Sequence, residues 1–253
     1  MKSRAVTAPG GAPIPAQTPS WALPAVAMVL VMGMFGYLQI TPLDSIEQRL
    51  LVPDQILTRT LEHVRLVAVS TVLVIVIGVP LGVLLSRPRA RLLATPVLAV
   101  ANGGQAIPSI GVLVLLAILV GVGFRMAVVA LVIYALLPVL RNTMVGLQQV
   151  DRALVDAGRG MGMSARQILL QIELPVAVPV MLAGIRVALI LNVGVATLAT
   201  YTNAGGLGSF IESGIVFNRM PILLTGSILT ISLALLVDWL AGLAEHRLRP
   251  RGL

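Results

Sequence analysis

Apolar and polar positions along this chain fall into long blocks rather than a short-range alternation. Residues 5–43 carry no charge, and their apolar part runs from Trp21 to Ile40, 20 residues. About 20 apolar residues in a helix cross the ~30 Å hydrocarbon core of a bilayer, so this block predicts a first membrane span. Further charge-free windows follow at 66–86, 92–124, 126–140, 187–211 and 220–237. The 33-residue window at 92–124 would give a straight helix of about 50 Å. Pro96, Asn102-Gly103-Gly104 and Pro108 interrupt it. It reads as a short helix at 93–103, a break, and a span from Ala106 to Val122. The next window extends to Phe124 and Thr143, the fifth span runs from Ala177 to Thr200, and the sixth reaches Trp239-Leu240. The pattern predicts an all-α membrane protein with six transmembrane helices.

Composition agrees. Hydrophobic residues make up 57% of the 253, charged residues only 11%, and mean hydropathy is +0.98. Soluble domains carry about 25% charged residues, so this chain could not cover a water-facing surface, and soluble enzymes and DNA-binding domains are excluded. Cysteine is absent, which removes disulfides, thiol nucleophiles and Cys-based metal sites. His63 and His246 are too few and too far apart for a metal site. A net charge of +8 would suggest nucleic acid in a soluble chain, but its placement says otherwise. With a cytoplasmic N-terminus, the inner segments hold 12 of the Lys and Arg residues and the outer segments 5. That is the positive-inside bias, with both termini cytoplasmic and no nucleic-acid partner.

The expected organisation runs as follows. Residues 1–20 form a disordered, Pro/Gly/Ala-rich cytoplasmic N-terminus, and 21–40 a first helix retained rather than cleaved. Residues 41–63 alternate acids with Ile46, Leu50, Leu51, Ile56, Leu57 and Leu61, reading as an outer interfacial segment or a plain connecting loop. Residues 64–245 form the main transmembrane domain, and 246–253 a basic cytoplasmic tail.

The inner loop at 142–176 is too polar to span and long for a compact domain, where such loops are usually functional. Val150, Leu154, Ala157 and Met161 recur at helical spacing. Gly158, Gly160 and Gly162 follow, and a glycine at 162 can take the left-handed conformation that stops a helix. Ser164-Ala165-Arg166-Gln167 has the form of a capping box. Ala165, Ile168, Leu169 and Ile172 then make a second stripe, with Pro175 where this helix should give way to span five. The loop is thus a helix, a glycine reversal and a second helix. The membrane domain can cover part of its apolar stripes and a docked protein the rest.

The run Asp156-Ala157-Gly158-x3-Gly162-x9-Ile172-x-Leu174-Pro175 resembles the EAA loop of ABC-importer permeases, Glu-Ala-Ala-x3-Gly-x9-Ile-x-Leu-Pro. Five of the seven positions match; Asp156 stands for Glu and Gly158 for the second Ala. Ala106-Ile107-Pro108-Ser109-Ile110, Leu136 to Thr143, Arg159 to Ser164, Ala183-Gly184-Ile185-Arg186 and Asn203 to Gly208 are similar to the osmoprotectant subfamily, which imports glycine betaine, carnitine and choline. Asn203 stands where that subfamily suggests Gly. The resemblance covers residues 60–245 and leaves the first span outside a five-helix type I core.

The resemblance implies a subunit in a bacterial inner membrane, in contact with lipid, that is not itself an enzyme. It implies partners: a dimer of ATP-binding subunits, which bind ATP and Mg, a second permease subunit (identical or paralogous), and an extracytoplasmic substrate-binding protein. No Gly-x4-Gly-Lys-Ser/Thr run is present. It also implies that Asp156, Ala157, Gly158, Arg159, Gly162, Met163, Ser164, Leu174 and Pro175 couple to the ATPase. Alternatively Gly158 and Gly162 only shape the loop.

For the translocation path or gate the candidates are Gln105, Pro108 and Ser109 at the break in span three, and Asn192, Thr197, Thr200, Asn203, Gly205 and Gly206 in span five and its outer end. Irregular backbone at membrane depth lines a cavity or lies buried in protein, yet polar groups also serve as packing glue and prolines as simple kinks. Arg186 and Asp238 read as interfacial residues. Trp21, Trp239, Tyr37, Tyr134 and Tyr201 do not cluster along the chain, which argues against an aromatic cage for a quaternary ammonium. Three classes remain: the ABC permease, for a compatible solute or for another small solute such as an amino acid or ergothioneine; an ion-coupled secondary transporter, which would want charges inside the membrane; and an intramembrane hydrolase, for which no nucleophile–base pair is evident.

Overall fold

The computed structural model describes residues 21–248, all of whose regular elements are helical. Five helices are long and apolar enough to cross a membrane, and a pair bent by 96° in the middle of the chain makes a sixth when counted as one broken span. Helix α1 (Ala22–Ile40) is followed by α2 (Ser45–Leu50) and α3 (Pro53–Leu85). The expected outer segment 41–63 therefore divides. Asp44 caps α2 through a capping box with Glu47, and Pro53, whose missing N–H costs nothing in a first helical turn, opens α3. Residues 53–63 are the first three turns of one 33-residue helix.

The third window differs more from expectation. Helix α4 (Arg91–Ala106) runs through Asn102-Gly103-Gly104 without a break, and α5 (Ser109–Leu119) leaves it at 96°. The bend falls at Ile107-Pro108, where Ile107 is extended with ψ 134. Proline disfavours helical geometry in the residue before it, so the chain breaks there and not at the glycines. With 11 residues, α5 is about 16 Å long, shorter than the straight span expected over 106–122.

Helix α6 (Phe124–Gln148) lies at the centre and packs against α3, α4, α5 and α9 (Leu174–Val195). Its contacts are close because small residues face it. A Cβ at Gly82 would lie 2.7 Å from Thr143 Cβ, one at Gly184 2.7 Å from the Pro138 carbonyl oxygen, and one at Gly146 would meet the Ala177 carbonyl at 3.1 Å. Small residues serve this purpose in membranes, where the hydrophobic effect does not drive helices together and packing does. The main core joins Leu66, Leu113, Leu131 and Val193, all fully or nearly fully buried. Between α6 and α9 lie α7 (Arg152–Gly160), α8 (Ala165–Ile168) and a π-helical turn, Leu169–Glu173. After α9 a 3-10 stretch, Ala196–Thr202, leads to α10 (Gly208–Val216) and α11 (Met220–Leu248).

Span five is thus part of a helical run from Ala165 to Thr202, longer than the expected 177–200. The helix does not stop at Pro175. Pro175 cannot donate to the Gln171 carbonyl, and the π turn just before it absorbs the mismatch.

Helix α1 packs on α11. The rings of Trp21 and Trp239 are 5.0 Å apart at the end of the bundle that carries α7. These two tryptophans, 218 positions apart in sequence, do come together, contrary to the sequence expectation. They form an edge staple between the added helix and the core rather than a cage, since Trp21 is largely exposed. Arg186 and Asp238 are also not free interfacial residues. The guanidinium grips both Asp238 oxygens, its Nη2 at 2.9 Å, and reaches Glu245 at 3.6 Å, joining α9 to α11.

Candidate functional site

The segment between α6 and α9 is built as the sequence implies. Asp151 caps α7, its Oδ1 accepting from the Ala153 N–H at 2.9 Å. The helix ends in a Schellman turn. Gly162, with φ 80, donates to the Arg159 carbonyl at 2.9 Å, and Met163 donates to the Gly158 carbonyl at 3.1 Å. Ser164 and Gln167 then form a capping box, with the Ser164 N–H donating to Gln167 Oε1 at 2.8 Å and the Gln167 N–H to Ser164 Oγ at 3.4 Å. The reversal folds the second stripe back on the first helix. A Cβ at Gly158 would lie 2.8 Å from Ile172 Cδ1 and 3.4 Å from both Ile168 Cγ1 and Met163 Sδ.

This packing divides the candidate residues. Gly158 is buried, and Met163, Leu174 and Pro175 are half-buried, Leu174 against Leu147, Ala177 and Met181. Asp156, Ala157, Arg159, Gly162 and Ser164 are exposed, and so are Leu154 and Met161, the latter 75% exposed. Most of the apolar stripe on α7 is therefore uncovered. Asp156 and Arg159 pair at 3.0 Å, but both side chains are about two-thirds exposed and such pairs contribute little. They remain available to a partner.

The π turn that follows the reversal is held to the bundle by a contact that sequence reasoning missed. Arg87, just after α3, donates to Glu173 of the π turn at 2.6 Å. The two are 86 positions apart, and no local pattern links them. A cleft of about 940 Å³ opens between α7 and the bundle, lined by Arg87, Met144, Leu147, Arg152, Asp156 and Glu173 among others.

The pathway candidates fall in three places. Pro108 and Ser109 stand at the α4–α5 bend, with Gln105 one turn before it, donating to the Tyr134 carbonyl at 2.7 Å. Asn192 is buried inside the bundle, where its Nδ2 donates to Thr71 Oγ1 at 3.1 Å. That bond ties α3 to α9, while Asn192 Oδ1 is buried without a partner among the described residues. Thr200, Asn203, Gly205 and Gly206 gather at the end away from α7. Asn203, Gly205 and Gly206 all have positive φ, Thr200 Oγ1 donates to Glu212 at 2.9 Å, and the Gly206 N–H donates to Glu62 Oε2 at 2.9 Å. Thr197 is turned back onto the Gly194 carbonyl.

Glu62 and His63 are further residues here that the sequence did not single out. Glu62 also pairs with Arg59 at 3.0 Å. His63 is fully buried, with Nε2 3.1 Å from the Val193 carbonyl oxygen, so Nε2 carries the proton and donates. The Val193 carbonyl that His63 meets and the Gly206 amide that Glu62 meets lie 130 and 144 positions away from them, beyond the reach of spacing arguments. Among the described residues no group of three or more His, Asp or Glu is placed to hold a metal.

An all-helical multi-span bundle with a capped, exposed helix–reversal–helix at one end defines a class. Residues 78–250 match the family of binding-protein-dependent transport system inner membrane components, and the chain belongs to that family. Among curated proteins it is 39% identical over 198 residues to a carnitine transport permease protein, OpuCB, of Listeria monocytogenes, covering 78% of this chain and 90% of that one. It is 42% identical over 188 residues to the osmoprotectant import permease protein OsmY of Salmonella typhimurium, covering 74% and 80%. It is 36% identical over 199 residues to a choline transport system permease protein, OpuBB, of Bacillus subtilis, covering 79% and 91%. Among solved structures, an inward-facing form of the MetNI methionine ABC transporter matches with a TM-score of 0.71 at 26% identity, over 82% of this chain and 100% of that one. The chain is an inner-membrane permease subunit of an ABC importer.

Proposed function

We propose that this subunit passes a compatible solute of the quaternary-ammonium class, such as glycine betaine, carnitine or choline, delivered by a separate extracytoplasmic binding protein. The support is the set of relatives named above, 36–42% identical over about three-quarters of this chain. The methionine transporter shares the fold at lower identity, which favours an osmoprotectant over an amino acid as cargo.

In this reading α7 seats in a groove of an ATP-binding subunit. Leu154, Ala157 and Met161 supply apolar contact, and Asp156 and Arg159 supply charge-assisted bonds at the rim. Gly162 and Ser164 form the turn, while Gly158, Met163, Leu174 and Pro175 back it from within. ATP and Mg are bound by the two ATPase subunits, and closure of that dimer pulls two permease subunits between inward- and outward-open states. Both termini and α7 are cytoplasmic, residues 64–245 are the transport domain, and α1 is an addition at its edge. The α4–α5 bend and the loop at 203–206 serve as the gates.

Reconstitution in proteoliposomes with the ATPase and binding protein encoded beside this chain tests the reading. The expected result is uptake of radiolabelled glycine betaine, carnitine or choline that requires ATP inside and binding protein outside. Uptake driven by an ion gradient without the ATPase would overturn it. Uptake of methionine or ergothioneine alone would overturn the solute class but not the coupling.

A further inference from the structure

Besides Pro175 after its π turn, four prolines stand inside the described helices: Pro80, Pro96, Pro138 and Pro179. Each lacks an N–H, so the carbonyl four residues earlier loses its helical donor. Those carbonyls belong to Val76, Leu92, Tyr134 and Pro175. Among the described residues, only the Tyr134 carbonyl receives a side-chain donor from elsewhere, the Gln105 amide at 2.7 Å. The surroundings fit that bond. Gly104 brings the last turn of α4 against α6, where a Cβ would be 3.3 Å from Ile133 Cγ2. One turn further along α6, Asn142 Nδ2 donates to the Pro138 carbonyl at 2.9 Å, and α9 approaches the same carbonyl through Gly184.

We propose that Gln105 is a positioning residue that makes the α4–α5 bend follow the lower half of α6. From Pro138 to Gln148, α6 is a rigid rod of about 15 Å, and three residues after it the chain reaches Asp151, the cap of α7. A push on α7 therefore arrives at the Tyr134–Pro138 turn, where α6 lacks one rung and bends most easily. Left alone, that turn would absorb the motion. Gln105 lies one residue before the end of α4 and three before Pro108, and its bond replaces the missing rung with a tie to the bend. The movement then reaches Pro108 and Ser109. This inference rests on α7 being the ATPase contact.

The test uses the assembled importer in proteoliposomes, with radiolabelled glycine betaine as cargo, in four forms: unaltered, Gln105→Met, Pro138→Ala, and both together. Met matches the length of Gln without its donor, and replacing Pro138 by alanine restores an N–H to the Tyr134 carbonyl. Gln105→Met is expected to lower uptake per ATP hydrolysed about fivefold, the weight of one net hydrogen bond, and to lower the thermal midpoint of the complex by a few degrees. In the Pro138→Ala background the same change should leave the midpoint unmoved. Gln105→Leu, which also lacks a donor, should repeat Gln105→Met if the latter fails to assemble. Equal midpoint shifts in both backgrounds would overturn the bond's role. Unchanged uptake per ATP, with the midpoint cycle as expected, would reduce it to a structural tie and overturn the positioning role. Absence of ATP-driven uptake in the unaltered importer would instead count against the proposed cargo and coupling.

Discussion

Gly162 allows the sharpest quantitative test of the coupling loop. Its φ of 80 lies in the left-handed region, and a Cβ built there would meet nothing within 4 Å. Steric contact within this chain therefore adds nothing to the cost of a side chain, and backbone strain is the whole effect. For alanine that strain is about 1–2 kcal/mol. Asparagine adopts this region more readily, and β-branched residues least of all. Strain is relieved when the Schellman turn opens, so the docking-competent population falls by as much as ~5–30-fold for alanine. Apparent affinity for the ATPase drops by the same factor. The assay is co-purification of the ATPase with tagged Gly162→Asn, Gly162→Ala and Gly162→Val permeases, alongside uptake in proteoliposomes. The expected order is Gly, Asn, Ala, Val, from full function to least. If Asn is as damaging as Val, strain is not the cause, and the partner's own surface must be what excludes a side chain. Gly158→Ala is the internal control. Its backbone is helical, the nearest atom is the swinging Cδ1 of Ile172 at 2.8 Å, and the family pattern carries Ala there, so function should stay near normal.

Other outcomes follow from the packing. Gly184→Val places a side chain against the Pro138 backbone oxygen, 2.7 Å from its Cβ. That oxygen cannot move aside, and overpacking of about 1–3 kcal/mol should appear as a lower thermal midpoint and poorer yield. Arg186→Leu leaves Asp238 and Glu245 without their cation and should destabilise the chain; Arg186→Leu with Asp238→Leu should recover much of the loss in the same melting assay, because the uncompensated charge is gone. At the opposite end, Asp44 accepts from the Glu47 N–H, which holds its carboxyl below the ordinary range, helped by Arg219 at 2.6 Å. Its contribution is fully present above the ordinary carboxylate range and is lost as pH falls through the lowered folded value. An Asp44→Asn variant should therefore flatten the acid limb of a stability-versus-pH curve, while matching the parent in strong acid.

Local rules carried far in this chain. Block hydropathy alone located every long helix, because crossing a bilayer demands about 20 apolar residues in a row. The coupling loop was legible for a different reason. Caps and reversals depend on residues within a turn of one another, so Gly162, Ser164 and Gln167 announce their roles by spacing. The break in the third window was less legible. Proline and glycine both interrupt patterns on paper, but Gly103 and Gly104 keep their backbone N–H groups and stay helical, with Gly104 against Ile133 of α6, while Pro108 breaks the chain by its own covalent ring.

What the sequence determined by itself is therefore the all-helical membrane class, the helix–reversal–helix and the family. Each follows from short stretches of chain whose physics is local. Tertiary structure alone decided who meets whom. It paired Arg186 with Asp238, Arg87 with Glu173, Trp21 with Trp239, and Glu62 with the Gly206 amide. It also joined the Asn192 amide to Thr71, and gave Gln105 the Tyr134 carbonyl that Pro138 had set free. In a membrane an unmet polar group finds no water to satisfy it, which favours partners across the bundle, although the buried Thr143 Oγ1 and Asn192 Oδ1 have none among the described residues. The distance along the chain to such a partner carries no signature in the sequence.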